Sequence, residues 1–275
     1  MIIRVPATTA NLGPGFDTLG CALGWHAEFR LDDGGTGRAP VDQHHLALRA
    51  FRQAGGEGPL WATSSLPMGR GLGSSAALRV GGLVAAAVQR NGAAVDVRDP
   101  THGVLAHATR LEGHADNAAA ALHGGITITA EHQVVALPVP ADLVVVVWIP
   151  PQVTRTAKAR RSLPQAVPFA DAVFNVARVA MLVGALATDR LDVLAMATAD
   201  RLHQDLRLEA QTASREALDA ARRAGALGAW LSGSGPSIAC WCRRHQADQV
   251  RRALPASGRV EVLEIAPAGA EVIDG

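Results

Sequence analysis

The sequence predicts an α+β protein built in two parts, and three observations support this. Short runs that read as strands are interspersed with segments of helical period, without the strict alternation that a doubly wound sheet requires. The 275 residues are 48% apolar and 19% charged, enough for a real core and unlike a disordered or fibrous chain. The pattern changes character at Pro150-Pro151, which divides the chain into 1–150 and 151–275.

In the first part, Ile2 to Val5 reads as a strand stopped by Pro6, and Ala7 to Gly20 as a loop rich in Thr, Gly and Asn. Cys21 to Leu31 reads as a second strand, and polar Asp32 to Val41 as a turn. A helix from Gln43 to Ala54, closed by Gly55-Gly56, precedes a strand from Leu60 to Leu66. From Ser74 the spacing of Ala76, Leu78, Val80, Leu83, Val84, Ala87 and Val88 turns helical, with Gly92 as C-terminal cap. Asp99-Pro100-Thr101 opens another helix running to Glu112. Ile126 to Thr129 and Val134 to Val139 form a hairpin, and Asp142 to Ile149 is a buried strand by its run of Val. In the second part, helices are expected over Asp171 to Ala187, Leu191 to Leu202 and Ala213 to Ala224. Strands at Ala229 to Leu231, Ile238 to Cys242 and Val260 to Ile265 follow, with a helix at Ala247 to Leu254 before the last.

Composition removes several classes of function. A formal net charge of +1 offers no bulk field to gather nucleic acid or an anionic membrane. The most apolar run, Leu143 to Pro150, is far too short to span a bilayer, and Met1 to Pro6 lacks the pattern of a signal peptide. A soluble cytoplasmic protein is expected. The three cysteines, Cys21, Cys240 and Cys242, are too few and too oddly spaced for a disulfide framework or a metal knuckle. Cys240 and Cys242 share one strand face, as buried thiols would.

The chemical signal is the segment Pro67-Met68-Gly69-Arg70-Gly71-Leu72-Gly73-Ser74-Ser75-Ala76-Ala77. Its glycines let the backbone approach an anion, and the helix opening at Ser74 directs unpaired N–H groups and a positive dipole end at the same space. The Walker A pattern fails, because Gly73 is followed by Ser74 and the chain's one lysine is Lys158. The dinucleotide fingerprint fails for want of its third glycine, and neither this segment nor Ser232-Gly233-Ser234-Gly235 fits a nucleophile elbow. Taken alone, the segment is also compatible with a glycine turn capping a helix.

That segment resembles the phosphate-binding motif of the GHMP small-molecule kinases. Val5 to Gly20 is similar to the family's first motif in its homoserine kinase form, and Leu231 to Ser237 to its third. Three further stretches resemble the homoserine kinase branch: Glu112-Gly113-His114-Ala115-Asp116-Asn117, Thr154 to Pro164, and Asp200 to Arg207. The resemblance implies a nucleotide-binding N-terminal part, a ferredoxin-like C-terminal part, and a homodimer. It implies ATP and Mg²⁺ as cofactors and L-homoserine as substrate, phosphorylated by direct in-line transfer.

Residue roles follow from the same resemblance. The nucleotide would be held by Pro67, Gly69, Arg70, Gly71, Leu72, Gly73, Ser74, Ser75 and Ala76, and the metal by Ser75 and Glu112. Asp17 would take the substrate amine, with Asn11, Thr156 and Asn117 on its polar groups. Arg160 and Arg207 would grip the carboxylate, since a guanidinium binds a carboxylate with two parallel hydrogen bonds. Asn117 positions the reacting hydroxyl, and Asp116 either accepts a proton or holds the loop. The residues alone also allow Arg160 to belong to a solvated basic cluster and Arg207 to be a surface residue paired with Asp205 or Glu209. The sequence departs from the family in three places. It is short between Arg30 and His44, His44-His45-Leu46 stands where relatives have Asn near the adenine, and Asp205 replaces a common Pro beside Arg207. Another GHMP kinase acting on a different hydroxylated acid, or a non-catalytic ligand-binding relative, stands as the alternative.

Overall fold

The computed structural model describes residues 1–154 and 156–273, with the backbone alone for residues 156–158. Two antiparallel sheets organise the chain. The first has strand order β10-β1-β2-β4-β5, from β1 (Ile2–Ala10), β2 (Leu19–Arg30), β4 (Ile126–Ala130), β5 (Gln133–Leu137) and β10 (Glu271–Ile273). The short β3 (Trp61–Ser64) pairs with the far half of the long β2.

β1 passes through Pro6, where the sequence predicts a stop, and the reason lies in its neighbours. β10 covers β1 only from Ile2 to Arg4, and the register against β2 shifts between Pro6 and Ala7. Pro6 therefore sits beyond one ladder and at an irregularity in the other, where a missing N–H costs nothing.

Four helices belong to this part: α1 (Leu46–Gln53), α2 (Ser74–Asn91), α3 (Val104–Glu112) and α4 (Asp116–His123). α2 begins and ends where the periodicity places it, with Gly92 as cap. The helix expected from Asp99 to Glu112 is broken at Gly103, whose left-handed backbone separates a 3-10 turn from α3. α4 was not expected. Its alanines carry no amphipathic stripe because the helix is buried nearly all round, from Asp116 to Leu122.

The second sheet has order β7-β8-β6-β9, from β6 (Leu143–Ile149), β7 (Gly228–Leu231), β8 (Ile238–Arg243) and β9 (Arg259–Glu264). With helices between β6 and β7 and α10 (Ala247–Ala253) between β8 and β9, this is the ferredoxin-like arrangement. The sheets divide between Leu137 and Leu143, ahead of the boundary expected at Pro150-Pro151, and β10 returns to the first sheet. β6 is central, and its two faces go to different cores. Val145 and Val147 join Phe29, Leu83 and Trp230 between the two parts, while Val144, Val146 and Trp148 pack with Leu218 and Val250 beneath the outer helices. The three cysteines are free and buried, as expected, and burial pushes each thiol up.

The remaining helices are α5 (Thr156–Arg161), α6 (Phe169–Ala187), α7 (Leu194–Ala197), α8 (Gln204–Leu208) and α9 (Thr212–Arg223). The single helix expected over Leu191 to Leu202 is instead a 3-10 turn, the one-turn α7 and a bend at Ala199 to His203. The bend exists because Asp200 accepts the N–H groups of Leu202, His203 and Gln204. α6, rather than Leu143 to Pro150, is the stretch with the length and apolarity of a membrane span. It is tied into the fold by buried Asn175, which donates to Asp200 and to the carbonyl of Pro14. Its outward face carries Phe169, Val173, Val176 and Met181, all exposed.

Candidate active site

The glycine segment, the first motif and the third motif meet at one point. Gly71 and Gly73 both have positive φ. A side chain on Gly71 would meet the Ser232 carbonyl at 2.1 Å, and one on Gly73 would meet Thr8 Oγ1 at 1.8 Å. Ser232 Oγ donates to the Gly71 carbonyl at 2.6 Å, and the Thr8 N–H donates to the Leu72 carbonyl at 3.2 Å. The loop is thus fixed from both sides, and only glycine fits those contacts. Gly73 provides no side-chain cap for α2, and Ser74 Oγ turns away to the Pro67 carbonyl at 2.8 Å. The first N–H groups of α2 therefore face outward into an open cleft, where an anion would satisfy them.

That cleft opens to solvent and has a cavity volume of about 90 Å³. It brings together Asn11, Asp17, Gly69, Gly71, Leu72, Gly73, Ser74, Ser75, Ala76, Glu112, Asp116, Asn117, Arg160 and Arg207. Two expected residues are not among its walls. The Arg70 guanidinium is spent on the carbonyls of Pro150, Pro151 and Met68, so it anchors the loop from behind. Pro67 lines a separate hollow with it. The Thr156 side chain lies outside the described residues.

Opposite the helix terminus stands a group of charged side chains. Arg160 Nη2 donates to both Asp17 oxygens, at 2.6 and 2.7 Å. Asp17 is held by its own backbone, whose N–H donates to Asn11 Oδ1 at 3.1 Å, while Asn11 Nδ2 donates to the Gly233 carbonyl at 3.0 Å. Arg207 is 5% exposed, which rules out the surface reading. Asp205 pairs with Arg215 at 2.6 Å and leaves Arg207 alone, so the departure from the family pattern does not reach the cleft. Arg207 Nη1 donates to the Gly233 carbonyl at 3.0 Å, and its Nε is buried with no partner among the described residues. Burial and the charge of Arg160 lower its proton affinity, against the pull of Asp17, Asp200 and Asp116.

His203 orients this arginine. Its Nε2 lies 2.9 Å from the Gly13 carbonyl and its Nδ1 3.3 Å from Arg207 Nη1. A carbonyl only accepts and a guanidinium only donates, so the ring is neutral with its proton on Nε2. Burial pulls its pKa down, consistent with that form.

Asp116 opens α4 and Oδ1 accepts from the Asn117 N–H at 2.7 Å and from Asn117 Nδ2 at 3.2 Å, with His114 Nδ1 at 2.8 Å. Asn117 Oδ1 accepts from Thr8 Oγ1 at 2.7 Å, tying α4 to β1 beside the glycine loop. Sequence reasoning passed over His114, Phe16 and Thr154, which also line the cleft. His114 lies inside the quoted motif and could have been singled out there; Phe16, whose ring lies under both Arg160 and Arg207, carries no signal of its own. His45 sits outside the cleft walls and caps α1, accepting the Ala47 N–H. Glu112 ends α3 and accepts Ser75 Oγ at 2.8 Å, so a carboxylate and a hydroxyl lie together at the edge of the phosphate loop. Such hard oxygen donors suit Mg²⁺. Among the described residues no cluster of three His, Cys, Asp or Glu forms a closed metal site.

Known proteins share this architecture. The models for GHMP kinases N terminal domain and GHMP kinases C terminal match residues 44–125 and 181–260. The homoserine kinase of Moorella thermoacetica is 41% identical over 89% of this chain and 88% of its own. That of Thermus thermophilus is 38% identical over 96% and 95%. The chain belongs to the homoserine kinase family of GHMP kinases. The crystal structure of homoserine kinase from Cytophaga hutchinsonii superposes with a TM-score of 0.83 at 31% identity, covering 99% of this chain and 97% of that one. The GHMP fold is thus present over the described chain, and the cleft falls where the segments around Asn11, Gly71 and Gly233 converge.

Proposed function

We propose that the protein transfers the γ-phosphate of ATP directly to the side-chain hydroxyl of L-homoserine, giving O-phospho-L-homoserine for threonine biosynthesis. The observation that carries the reading is a single cleft with an uncapped helix N-terminus at one end and an Asp–Arg–Arg group at the other. The first suits a triphosphate, and the second suits an amino acid with both charges free. Phosphoryl transfer then requires alignment and charge neutralisation, with no covalent enzyme intermediate.

The glycine-loop and α2 N–H groups take the phosphate oxygens. Asp17 takes the substrate amine, and Arg160 and Arg207 the carboxylate, so the Asp17–Arg160 ion pair opens to admit the substrate. The buried Arg207 Nε, which has no partner among the described residues, supports this assignment. Asn117 positions the hydroxyl, and Asn11 shapes the loop that carries Asp17. Ser75 and Glu112 would hold Mg²⁺, which would supply charge neutralisation for the triphosphate. We place the enzyme in the cytoplasm, in keeping with its free buried thiols, with no nucleic-acid or membrane partner. It acts as a homodimer, for which the exposed apolar face of α6 is the supporting feature.

The test is ATP turnover by the purified protein over L-homoserine, L-serine, mevalonate and sugars. L-homoserine should be the preferred acceptor, and absence of turnover with it would overturn the assignment.

A further inference from the structure

The cleft edge carries a cation that the chemistry above does not use. Arg79 lies one turn beyond Ser75 on α2. Its Nη1 donates to Ser75 Oγ at 2.7 Å and forms an ion pair with Glu112 Oε1, the oxygen that also accepts Ser75 Oγ. A guanidinium therefore sits on the two oxygens offered to a divalent metal. The Glu112 side chain is only 9% exposed, so without Arg79 its hydrogen bonding among the described residues would fall to the Ser75 hydroxyl. The other arginines of the cleft are engaged elsewhere: Arg160 with Asp17, and Arg207 with Gly233 and His203.

We infer that Arg79 is a resident counter-cation of the metal carboxylate, exchanged for the divalent ion when that ion arrives on a triphosphate. Two positive charges on one carboxylate oxygen repel, so a bare metal ion must compete with Arg79 for Glu112. A metal ion carried on a triphosphate brings the negative charge that makes the exchange favourable. The side chain has somewhere to go. A small solvent-open hollow of about 50 Å³, which Arg79 itself lines, adjoins it between Leu46, Arg49, Gln53 and Leu111. Arg49 shares that cavity, so the guanidinium gains nothing by withdrawing while Glu112 is free. The consequence is an order of events: metal without nucleotide is held weakly, and Glu112 is never left bare. The inference rests on the nucleotide-site reading above.

The experiment is Mn²⁺ titration of the full chain, read by the electron paramagnetic resonance of the free ion, without nucleotide or homoserine. Arg79→Met should bind Mn²⁺ about tenfold more tightly than wild type, equivalent to about 1.4 kcal/mol. Arg79→Lys keeps the charge and should stay close to wild type. The gain should vanish in the Arg79→Met, Glu112→Gln double variant. Equal affinity in wild type and Arg79→Met overturns the inference, as does tightening that Lys reproduces or that survives loss of Glu112. A parallel titration with a non-hydrolysable ATP analogue separates the two readings. Failure to bind the analogue defeats the nucleotide site itself, whereas normal analogue binding with an unchanged Mn²⁺ affinity in Arg79→Met defeats only the role of Arg79.

Discussion

The two ends of the cleft are made of different materials. The phosphate end is backbone: glycines at 69, 71 and 73, the open terminus of α2, and a loop clamped by Thr8 and Ser232. The proposed acceptor end is side chain: Asp17, Arg160 and Arg207, brought together from three distant stretches, with Asp17 and Arg160 separated by 143 residues. The backbone end has its N–H groups in place before any ligand arrives. The side-chain end is closed on itself by an ion pair and, on the proposed reading, exchanges that pair for contacts to the substrate. On the proposed reading, general phosphate binding is fixed by local geometry, while substrate choice is delegated to charges that are free to be re-paired.

Substitutions can break this division, and the largest effect belongs to the backbone end. Gly73→Ala puts a side chain at positive φ and into Thr8 Oγ1, forcing the loop out of place. Losing its aligned donors should lower kcat/KM by about 10²–10³-fold, by analogy with removal of an oxyanion-hole donor. Binding of a non-hydrolysable ATP analogue, followed by calorimetry, should fall with it. Next comes Arg207→Ala. Truncating a buried, hydrogen-bonded charge costs roughly 2–5 kcal/mol, so the homoserine KM should rise about 30-fold or more with little change for ATP. Arg207→Lys should restore little, because one ammonium cannot reproduce the fork geometry.

A smaller effect is expected from Asp17→Asn and Arg160→Ala, whose side chains are 33% and 42% exposed in the pair. Each should weaken homoserine binding by about tenfold, discounted for solvent screening. The double variant should lose less than the sum, since each partner left alone also loses its resting contact; full additivity in a double-mutant cycle would refute the coupling. The smallest effect is on stability. His203 is neutral and its pKa is depressed by burial, so its contribution is complete above the ordinary histidine value of about 6.5 and is lost as pH falls through the depressed one. His203→Gln should flatten the slope of melting temperature against pH on the acid side. An unchanged slope would place the acid sensitivity elsewhere.

The same division explains what was legible in the sequence. The glycine loop and α2 could be read directly, because spacing, helix onset and the absence of lysine are all local. The proposed site residues Asp17, Asn117, Arg160 and Arg207 came only through resemblance, since nothing near Arg207 in the sequence distinguishes a buried guanidinium from a surface one. Its burial depends on His203, Phe16 and Gly233, which converge only in the folded chain. α4 was missed because uniform burial erases helical periodicity, and the bend before α8 because Asp200 captures backbone donors that a propensity argument gives to a helix. Arg70 misled in the opposite direction. It sits inside the phosphate motif, but three carbonyls hold it behind the loop. Arg79 attracted no notice as one basic residue on a long helix, and its position over Glu112 emerges only when α2 and α3 pack together.

The sharpest test of the division is to measure both ligands on both variants. The non-hydrolysable ATP analogue and L-homoserine would each be titrated calorimetrically into Gly73→Ala and Arg207→Ala, with folding of each confirmed by its melting transition. A crossed result is expected: Gly73→Ala loses the nucleotide and keeps homoserine, while Arg207→Ala loses homoserine and keeps the nucleotide. If a folded Arg207→Ala loses both ligands together, the two ends are not separable and the division between them fails.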